Sequence, residues 1–287
     1  MIITDTVSSL HLGKDSPTST QRLITVARWA SKLFMVAGIA LFAYSVTWSF
    51  ATRRYLRGFA DAIVPLNGSA QDKTEALLGW FRDEPKRNTF PTSESDGLLH
   101  DRDPVNIVQN TYLLKVCGTA TNAFMNLANA AGLKSRRLLL LDQTGSTKHV
   151  VAEVQWDDRW IVVNPQLGLI YKDQLGRALT KEELRNPQVF QDSISRMPGY
   201  DPAYTFEDTV HIHLSRIPVV GRLLRSVLRR LAPNWEESIN WSYFPENPSL
   251  WPLAISFPLL IFGILGHLIA TRYSRNRRDT KMMESLP

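Results

Sequence analysis

Two long stretches without a charged side chain set the strongest limit on how this chain can fold. Leu33 to Thr52 carries no Asp, Glu, Lys or Arg over 20 residues, and Pro248 to Thr271 is uncharged as well. A helix of about 20 apolar residues crosses the hydrocarbon core of a bilayer. We therefore predict transmembrane helices over residues 33–52 and 249–271, and we expect Pro258 to kink the second helix.

Each stretch has an alternative interpretation. The first could be a secretory signal peptide, but its apolar part is too long and the polar tail before it too extended. The second could be a buried core helix, which its length and basic flank disfavour. The predicted segments, in chain order, are a cytoplasmic tail (1–32), a transmembrane helix (33–52), a folded domain (53–210), a basic amphipathic and aromatic membrane-proximal segment (211–248), a second transmembrane helix (249–271) and a basic cytoplasmic tail (272–287).

Basic residues around the second stretch predict the topology. Five of them follow it, whereas no Lys or Arg lies between Leu231 and Trp251. Cytoplasmic flanks carry the excess of Lys and Arg, so the C-terminal tail is expected in the cytoplasm. Two spans then place the N-terminus there too. In a bacterial cell this puts the chain in the inner membrane, with its folded domain facing the periplasm.

The composition narrows the classes of function. One cysteine excludes an internal disulfide, and the net charge of +6 lies largely near the uncharged stretches. Zinc-binding cysteine pairs, a Walker loop and a glycine-rich dinucleotide turn are all missing from the sequence. We therefore expect no cofactor, no metal site and no nucleic-acid partner. The expected partners are the membrane, a peptide or other amide-containing substrate on the envelope side, and protein partners in the membrane.

Two further features leave alternatives open. His211 and His213 alternate on a predicted strand, which fits either a metal site without an evident third ligand or a surface strand. Residues 217–232 form a basic amphipathic pattern, with arginines opposite a leucine-rich stripe. Such a helix can pack on the protein core or lie on an anionic membrane surface. An aromatic segment, 234–247, follows it and is typical of a membrane interface.

The only cysteine, Cys117, opens a predicted helix. From Gly118 to Ala131 small and apolar residues recur at steps of three and four, and Gly132 provides a helix stop. Unpaired N–H groups and the helix dipole at the N-terminus favour an anion there, which lowers the pKa of a thiol and can stabilise an oxyanion. The alternative is an inert, buried cysteine that behaves as a small hydrophobe.

Strands are predicted at Arg136–Leu141, His149–Trp156 and Trp160–Asn164. If Trp156 pairs with Arg159 across a two-residue turn, His149 and Asn164 share a sheet face as diagonal neighbours, within side-chain reach. A three-residue loop would put them on opposite faces. A cysteine, a histidine and an amide that meet in space are the parts of a cysteine nucleophile site. Taken singly, the histidine fits a surface position and Asn164, before a proline, fits a turn.

Four motifs follow one another between Cys117 and Tyr171. They are Cys117-Gly118 at a helix start, Gly132-Leu133 with Arg136, His149-Val150 with Glu153, and Trp160 through Asn164-Pro165. In this order they resemble the catalytic core of the transglutaminase-like superfamily, whose fold is related to papain-like cysteine proteases. Leu77–Arg82 and Asp103-Pro104-Val105 give a weaker upstream match. The family usually has Asp at the position of Asn164, where papain-like enzymes use Asn.

The resemblance implies an α+β fold in which a nucleophile helix packs on an antiparallel sheet, here between two transmembrane helices. It also implies a thioester mechanism with Cys117 as nucleophile, His149 as acid and base, and Asn164 as the residue that orients the imidazole. The expected function is a membrane-anchored protease, amidase or acyltransferase. The alternative is an inactive member that serves as a binding or assembly subunit of envelope polysaccharide synthesis or export.

Overall fold

A computed structural model describes residues 19–83, 101–212, 226–228, 230–231, 244 and 246–284 of the chain. Its contacts divide the chain into two units, residues 1–44 with 253–287 and residues 45–252. The described part of the first unit is called the helix pair below. The described part of the second is called the sheet domain.

The helix pair is built from two long apolar helices. Helix α1 runs from Ser19 to Ile63 and contributes its first half to this unit, and helix α7 runs from Trp251 to Glu284. Both helices are long and apolar enough to cross a membrane. Pro258 lies inside α7, as predicted. Large apolar side chains such as Leu33 and Phe262 are exposed on the surface of this unit.

Three glycines let the two helices of the pair approach closely. A Cβ atom on Gly38 would lie 2.7 Å from Cγ of Leu260, and one on Gly263 would lie 2.9 Å from the Ser31 carbonyl oxygen. At Gly266 the added atom would be 2.6 Å from the Ser31 hydroxyl. Small residues at a helix interface allow such close backbone packing, which is the usual means of association in lipid.

Helices of the sheet domain surround one antiparallel sheet. After α1 they are α2 (Ala70–Asp83), α3 (Pro104–Gln109), a 3₁₀ turn (Thr111–Lys115), α4 (Cys117–Ala130), α5 (Lys181–Leu184) and α6 (Pro187–Ile194). The strands are β1 (Ser135–Leu141), β2 (Thr147–Trp156), β3 (Arg159–Asn164), β4 (Leu169–Ile170) and β5 (Asp208–Val210), in the order β4-β3-β2-β1-β5. The chain is thus a mixture of helices and antiparallel sheet, which agrees with the predicted α+β class.

Both faces of the sheet are buried, by different elements. On one face Ala152, Val154 and Val163 pack in a core with residues of α2 and α4. On the other face Val151 and Val162 pack in a second core beneath α5, α6 and the segment before β5. The alternation of side chains along a strand sends neighbours to opposite faces, so each strand serves both cores.

The register of the central hairpin agrees with the two-residue turn. Trp156 pairs with Arg159, and Ala152 pairs with Val163. Asp157, the first turn residue, has a φ of 50°. Asp tolerates this left-handed region better than most residues, which favours a tight turn at this point. His149 and Asn164 therefore belong to the same face of the sheet, as the sequence predicted.

Helix α4 begins and ends close to its predicted bounds. It starts at Cys117, and Gly132 follows its last turn with a φ of 80°. The Leu133 N–H donates to the Ala128 carbonyl at 2.8 Å, and the Gly132 N–H donates to the Asn129 carbonyl at 3.1 Å. These two bonds form a Schellman cap, which satisfies the last carbonyls of the helix.

The prediction of a surface strand over His211 and His213 is wrong for the first of them. His211 follows the end of β5 and is 6 % exposed. His213 lies outside the described residues, as do most of the predicted amphipathic helix (217–232) and of the aromatic segment (234–247). The β5 pairing brings His211 into the interior, which its sequence spacing alone did not indicate.

Candidate active site

Cys117 occupies the first position of α4. Its preceding residue, Val116, has extended backbone and provides no side-chain cap for the helix. The first N–H groups of a helix have no acceptor within the helix, so they point toward the space next to the thiol. The side chain is half-buried. The sole cysteine therefore lies where the helix dipole and free N–H groups favour a negative charge.

A direct contact joins the other two predicted residues. Nδ2 of Asn164 lies 3.1 Å from Nε2 of His149, and both side chains are buried. The Leu167 N–H donates to Oδ1 of Asn164 at 3.3 Å, so the amide NH₂ group faces the imidazole. Because an amide NH₂ group only donates, Nε2 accepts and the neutral ring carries its proton on Nδ1.

Aromatic side chains enclose the imidazole of His149. The ring of Tyr204 stacks on it with centroids 4.6 Å apart and planes within 6°, and Tyr200 meets it edge-on at 6.2 Å. The Tyr200 hydroxyl donates to the Tyr204 carbonyl at 2.7 Å, which holds the two tyrosines together. This packing restricts the rotation of the imidazole about its own side-chain bonds.

Burial sets the charge state of this histidine. Loss of hydration lowers the pKa of His149 to about 4, although Asn164 and the charge of Asp201 act in the opposite direction. Desolvation disfavours the protonated, charged imidazole. The ring is therefore neutral at pH 7, and a pKa this low makes it a weak base in the conformation described.

Two hydrogen bonds place the start of α4 beside the strands. Thr121, one turn after Cys117, donates through Oγ1 to the Val150 carbonyl at 3.1 Å. Nε2 of Gln166, two residues after Asn164, donates to the Lys115 carbonyl at 2.5 Å. The helix that carries the thiol is thus attached to the residues that follow His149 and Asn164 in the chain.

The three predicted site residues are not all in contact. His149 and Asn164 are hydrogen-bonded, whereas within the described residues the Cys117 thiol makes no hydrogen bond to either. His149 points to the face that carries Val151 and the tyrosines, and the apolar stripe of α4 covers the other face. The imidazole and the apolar stripe of α4 therefore lie on opposite faces of the sheet.

A buried ionic cluster lies further along the histidine strand. Glu153 accepts from Nε of Arg136 at 2.7 Å, and its Oε2 atom also lies 2.7 Å from Nε2 of His211. The Arg136 guanidinium in turn lies 4.1 Å from the ring centre of Trp160. His211 and Arg136 together lower the pKa of Glu153 despite its burial, so the carboxylate is charged. This cluster fixes β1, β2 and the end of β5 to one another.

A second arginine lies next to the cysteine helix. A Cβ atom on Gly118 would lie 3.4 Å from Nη2 of Arg137, and the Arg137 guanidinium pairs with the carboxylate of Glu246. Burial raises the pKa of Glu246, while Arg137 and Arg102 act against that rise. The residue after the candidate nucleophile thus lies beside a guanidinium that is paired with a buried carboxylate.

Sequence reasoning missed Tyr200, Tyr204, Arg137 and Glu246. The two tyrosines fall in a stretch interpreted as a loop, and their four-residue spacing was the only available signal. Glu246 lies 109 residues from Arg137 in the chain. No local sequence pattern predicts an ion pair between residues so far apart in the chain.

Two cavities of the sheet domain lie away from these residues. One, of about 390 Å³, is bordered by α2 and β4, and another, of about 370 Å³, is bordered by α1 and α4. Neither is lined by Cys117, His149 or Asn164. Among the described residues there is also no group of three or more His, Cys, Asp and Glu side chains suited to a metal ion.

Comparison with known proteins gives no assignment. No protein-family model matches the chain, and no curated protein matches it.

Proposed function

We propose that this chain is a membrane-anchored cysteine enzyme of the transglutaminase-like type, which cleaves or transfers an amide or acyl group on the envelope side of a membrane. The observation that supports it most is the hydrogen bond between His149 and Asn164. It occurs in the predicted register of the hairpin. Thr121, in the helix that begins with the only cysteine, donates to Val150 of the same hairpin.

In the proposed reaction Cys117 is the nucleophile. The thiol proton passes to His149, and the sulfur attacks the carbonyl carbon of an amide to form a C–S bond. Helix N–H groups next to Cys117 stabilise the oxyanion. As the C–N bond breaks, His149 returns the proton to the leaving amine and a thioester remains. Water or a second amine then attacks the thioester carbonyl and gives its proton to His149. The C–S bond breaks, and the proton returns from His149 to the Cys117 sulfur.

The orientation of Asn164 determines which ring nitrogen of His149 is free. In the structure its NH₂ group faces Nε2, so the basic lone pair of the ring is occupied. A half-turn of the amide would bring Oδ1 to Nε2–H and free the Nδ1 lone pair for the thiol proton. An Asn164→Asp change would fix that tautomer, because a carboxylate only accepts.

The test uses the single cysteine as its own reporter. Alkylation of Cys117 by iodoacetamide is measured against pH in the wild type, His149→Ala and Asn164→Asp. A working pair predicts that alkylation near neutral pH is much faster in the wild type than in His149→Ala. Asn164→Asp should keep or increase the rate near neutral pH.

Lys148→Ala provides the matched control. Lys148 is exposed and adjacent to His149 in β2, so its loss removes a nearby positive charge but no base. An unchanged profile in this variant would assign the effect to the imidazole. A slow thiol that is indifferent to His149 would overturn the enzyme proposal.

The second candidate is a non-catalytic binding or assembly subunit, which would serve synthesis or export of an envelope polysaccharide. The missing hydrogen bond between Cys117 and His149 favours it, since a resting catalytic pair is expected to lie within reach. It predicts that Cys117→Ser preserves function in the cell. The cysteine-enzyme proposal predicts loss of function in the same variant.

A further inference from the structure

A polar cavity of the sheet domain lies between α1 and α4. Its volume is about 370 Å³, within the range of small-ligand sites. Two arginines of α1, Arg53 and Arg57, line it together with the amide side chains of Asn126, Asn129 and Asn247. The buried hydroxyl residue Thr52 completes the polar lining.

The lining has the composition of an anion site. All eight lining residues are neutral or basic. Arg53 and Arg57 are four residues apart on α1, so their side chains project from the same face of the helix. Arg54, the other arginine of this turn, does not line the cavity. Guanidinium groups bind phosphate through paired, charge-assisted hydrogen bonds, and amide NH₂ groups add further donors.

The cavity also lies where the first uncharged stretch ends and the second one begins. The first stretch ends at Thr52, immediately before Arg53, and the second begins at Pro248, immediately after Asn247. The Ser49 hydroxyl donates to the Ser249 hydroxyl at 3.0 Å, and the Ser45 hydroxyl donates to the Ser249 carbonyl. The two segments are therefore held side by side where each changes from apolar to polar.

That level corresponds to the headgroup layer if the uncharged stretches span a bilayer. Polar and basic side chains at helix ends lie at the membrane–water interface. Leu56 and Ala60 of α1 pack in the same core as α4, so the walls of the cavity are fixed by the fold. A phosphoryl group at the interface would meet the two arginines that line this cavity.

We propose that this cavity binds the phosphoryl group of an anionic lipid headgroup. The proposal rests on the membrane placement within the proposed function and is independent of the chemistry of Cys117. Inorganic phosphate shares the recognised chemistry, so the experiment has to separate the two sources.

The test compares full-length protein in nanodiscs of phosphatidylcholine with and without phosphatidylglycerol. Wild type should be stabilised by phosphatidylglycerol, with a higher unfolding temperature and retained lipid in native mass spectrometry. In Arg57→Gln the apparent affinity for phosphatidylglycerol should fall by about tenfold or more, because a charged hydrogen bond is lost. Asn129→Asp should weaken it too, since it adds a negative charge to the lining.

Arg54→Gln is the matched control, since it removes one positive charge from the same turn without touching the cavity. It should keep the wild-type affinity. If Arg54→Gln and Arg57→Gln lose equal affinity for phosphatidylglycerol, the lipid is attracted by diffuse surface charge and the proposed site is wrong. An equal stabilisation by inorganic phosphate in discs of phosphatidylcholine alone would overturn the lipid source.

Two further outcomes separate this proposal from the proposed function. Cys117→Ser should respond to phosphatidylglycerol as the wild type does. If the protein stays in the membrane fraction but ignores phosphatidylglycerol, the headgroup site is wrong and the enzyme proposal stands. If the protein is recovered in the soluble fraction, the membrane placement fails, and the headgroup site fails with it.

Discussion

The helix pair and the sheet domain distribute their polar and apolar side chains in opposite ways. In the helix pair Leu33 is 66 % exposed and Phe262 is 65 % exposed, whereas the small polar residues Ser31 and Ser256 are buried. In the sheet domain Arg136 is 5 % exposed and Glu153 is fully buried. One region places apolar groups outside, and the other places charges inside.

This difference agrees with the finding that both long helices are apolar enough to cross a membrane. The buried hydroxyls of the helix pair donate to carbonyls of their own helices, Ser31 to Ala27 and Ser256 to Leu253, both at 2.7 Å. An outer surface of Leu, Ile and Phe is unfavourable in water but neutral in lipid. Buried charges in the sheet domain are stable only as a connected set, because each group needs a partner away from water.

The largest effect should come from breaking the buried cluster of the sheet domain. Arg136→Met removes the guanidinium from Glu153 and leaves His211 beside the buried carboxylate. Removal of one partner from a buried ion pair costs about 3–5 kcal/mol, and the remaining contact with His211 should keep the loss near the lower value. Urea unfolding of the full-length protein in detergent, followed by tryptophan fluorescence, measures the loss. Arg177→Met, which removes an exposed pair with Asp173, should change the free energy of unfolding far less.

A double variant tests the cause of that loss. Arg136→Met combined with Glu153→Leu removes both charges, so it should recover a large part of the lost stability. A double variant no better than Arg136→Met alone would mean that packing against Trp160, and not the stranded carboxylate, accounts for the effect.

The free energy of unfolding of the sheet domain should depend on pH because of His149. Its pKa falls to about 4 in the folded state, below the ordinary value near 6.5. Below pH 6.5 His149 becomes protonated in the unfolded chain but stays neutral in the folded protein. The free energy of unfolding therefore decreases as the pH falls. The contribution is about 3 kcal/mol and is lost progressively from pH 6.5 down to about pH 4.

His149→Gln isolates this contribution, because Gln does not titrate. Other acidic groups affect both proteins alike, so the difference in unfolding free energy between wild type and variant should be constant above pH 7. It should then move in favour of the variant at lower pH. A difference that stays flat down to pH 4 would contradict a neutral, buried imidazole.

Close packing of the helix pair gives a smaller effect. Gly263→Ala places a Cβ atom 2.7 Å from Cγ of Met35 and 2.9 Å from the Ser31 carbonyl oxygen. Overpacking of this kind costs about 1–3 kcal/mol. Gly58→Ala, on α1 with nothing within 4 Å of the added atom, should be neutral or stabilising. Thermal unfolding in detergent compares them, and equal effects would refute the close contact.

The hairpin turn should give the smallest effect. Asp157 has a φ of 50°, a conformation that glycine adopts without a steric penalty. Asp157→Gly should therefore stabilise the sheet domain by up to about 1 kcal/mol, measured by urea unfolding. Asp158→Gly is the control, since Asp158 keeps a negative φ and should gain nothing. Stabilisation by both changes would point to the loss of a negative charge, and not to the φ of Asp157, as the cause.

Local patterns explain why part of the candidate site was predictable. A two-residue turn and the alternation of side chains fix the position of Asn164 relative to His149, and both signals lie within 16 residues of sequence. Gly132 marked the end of α4 by the same kind of local rule. These parts of the fold need no knowledge of distant contacts.

The remainder depends on contacts between distant segments. Tyr204 stacks on His149 from 55 residues away, and His211 reaches Glu153 from 58 residues away. Small residues within an apolar stretch, such as Gly38 and Gly263, indicate that a helix packs closely against another one. They do not indicate which helix is the partner. Charge pairs such as Arg137 and Glu246 left no comparable sign in the sequence.

The two edge strands of the sheet are very short, which limits aggregation through strand addition. Strand β4 has two residues and strand β5 has three, so the longer strands β1, β2 and β3 all lie between neighbours. Unpaired edges are the templates on which chains aggregate through strand addition. Short edge strands therefore leave neighbouring molecules little backbone through which to polymerise.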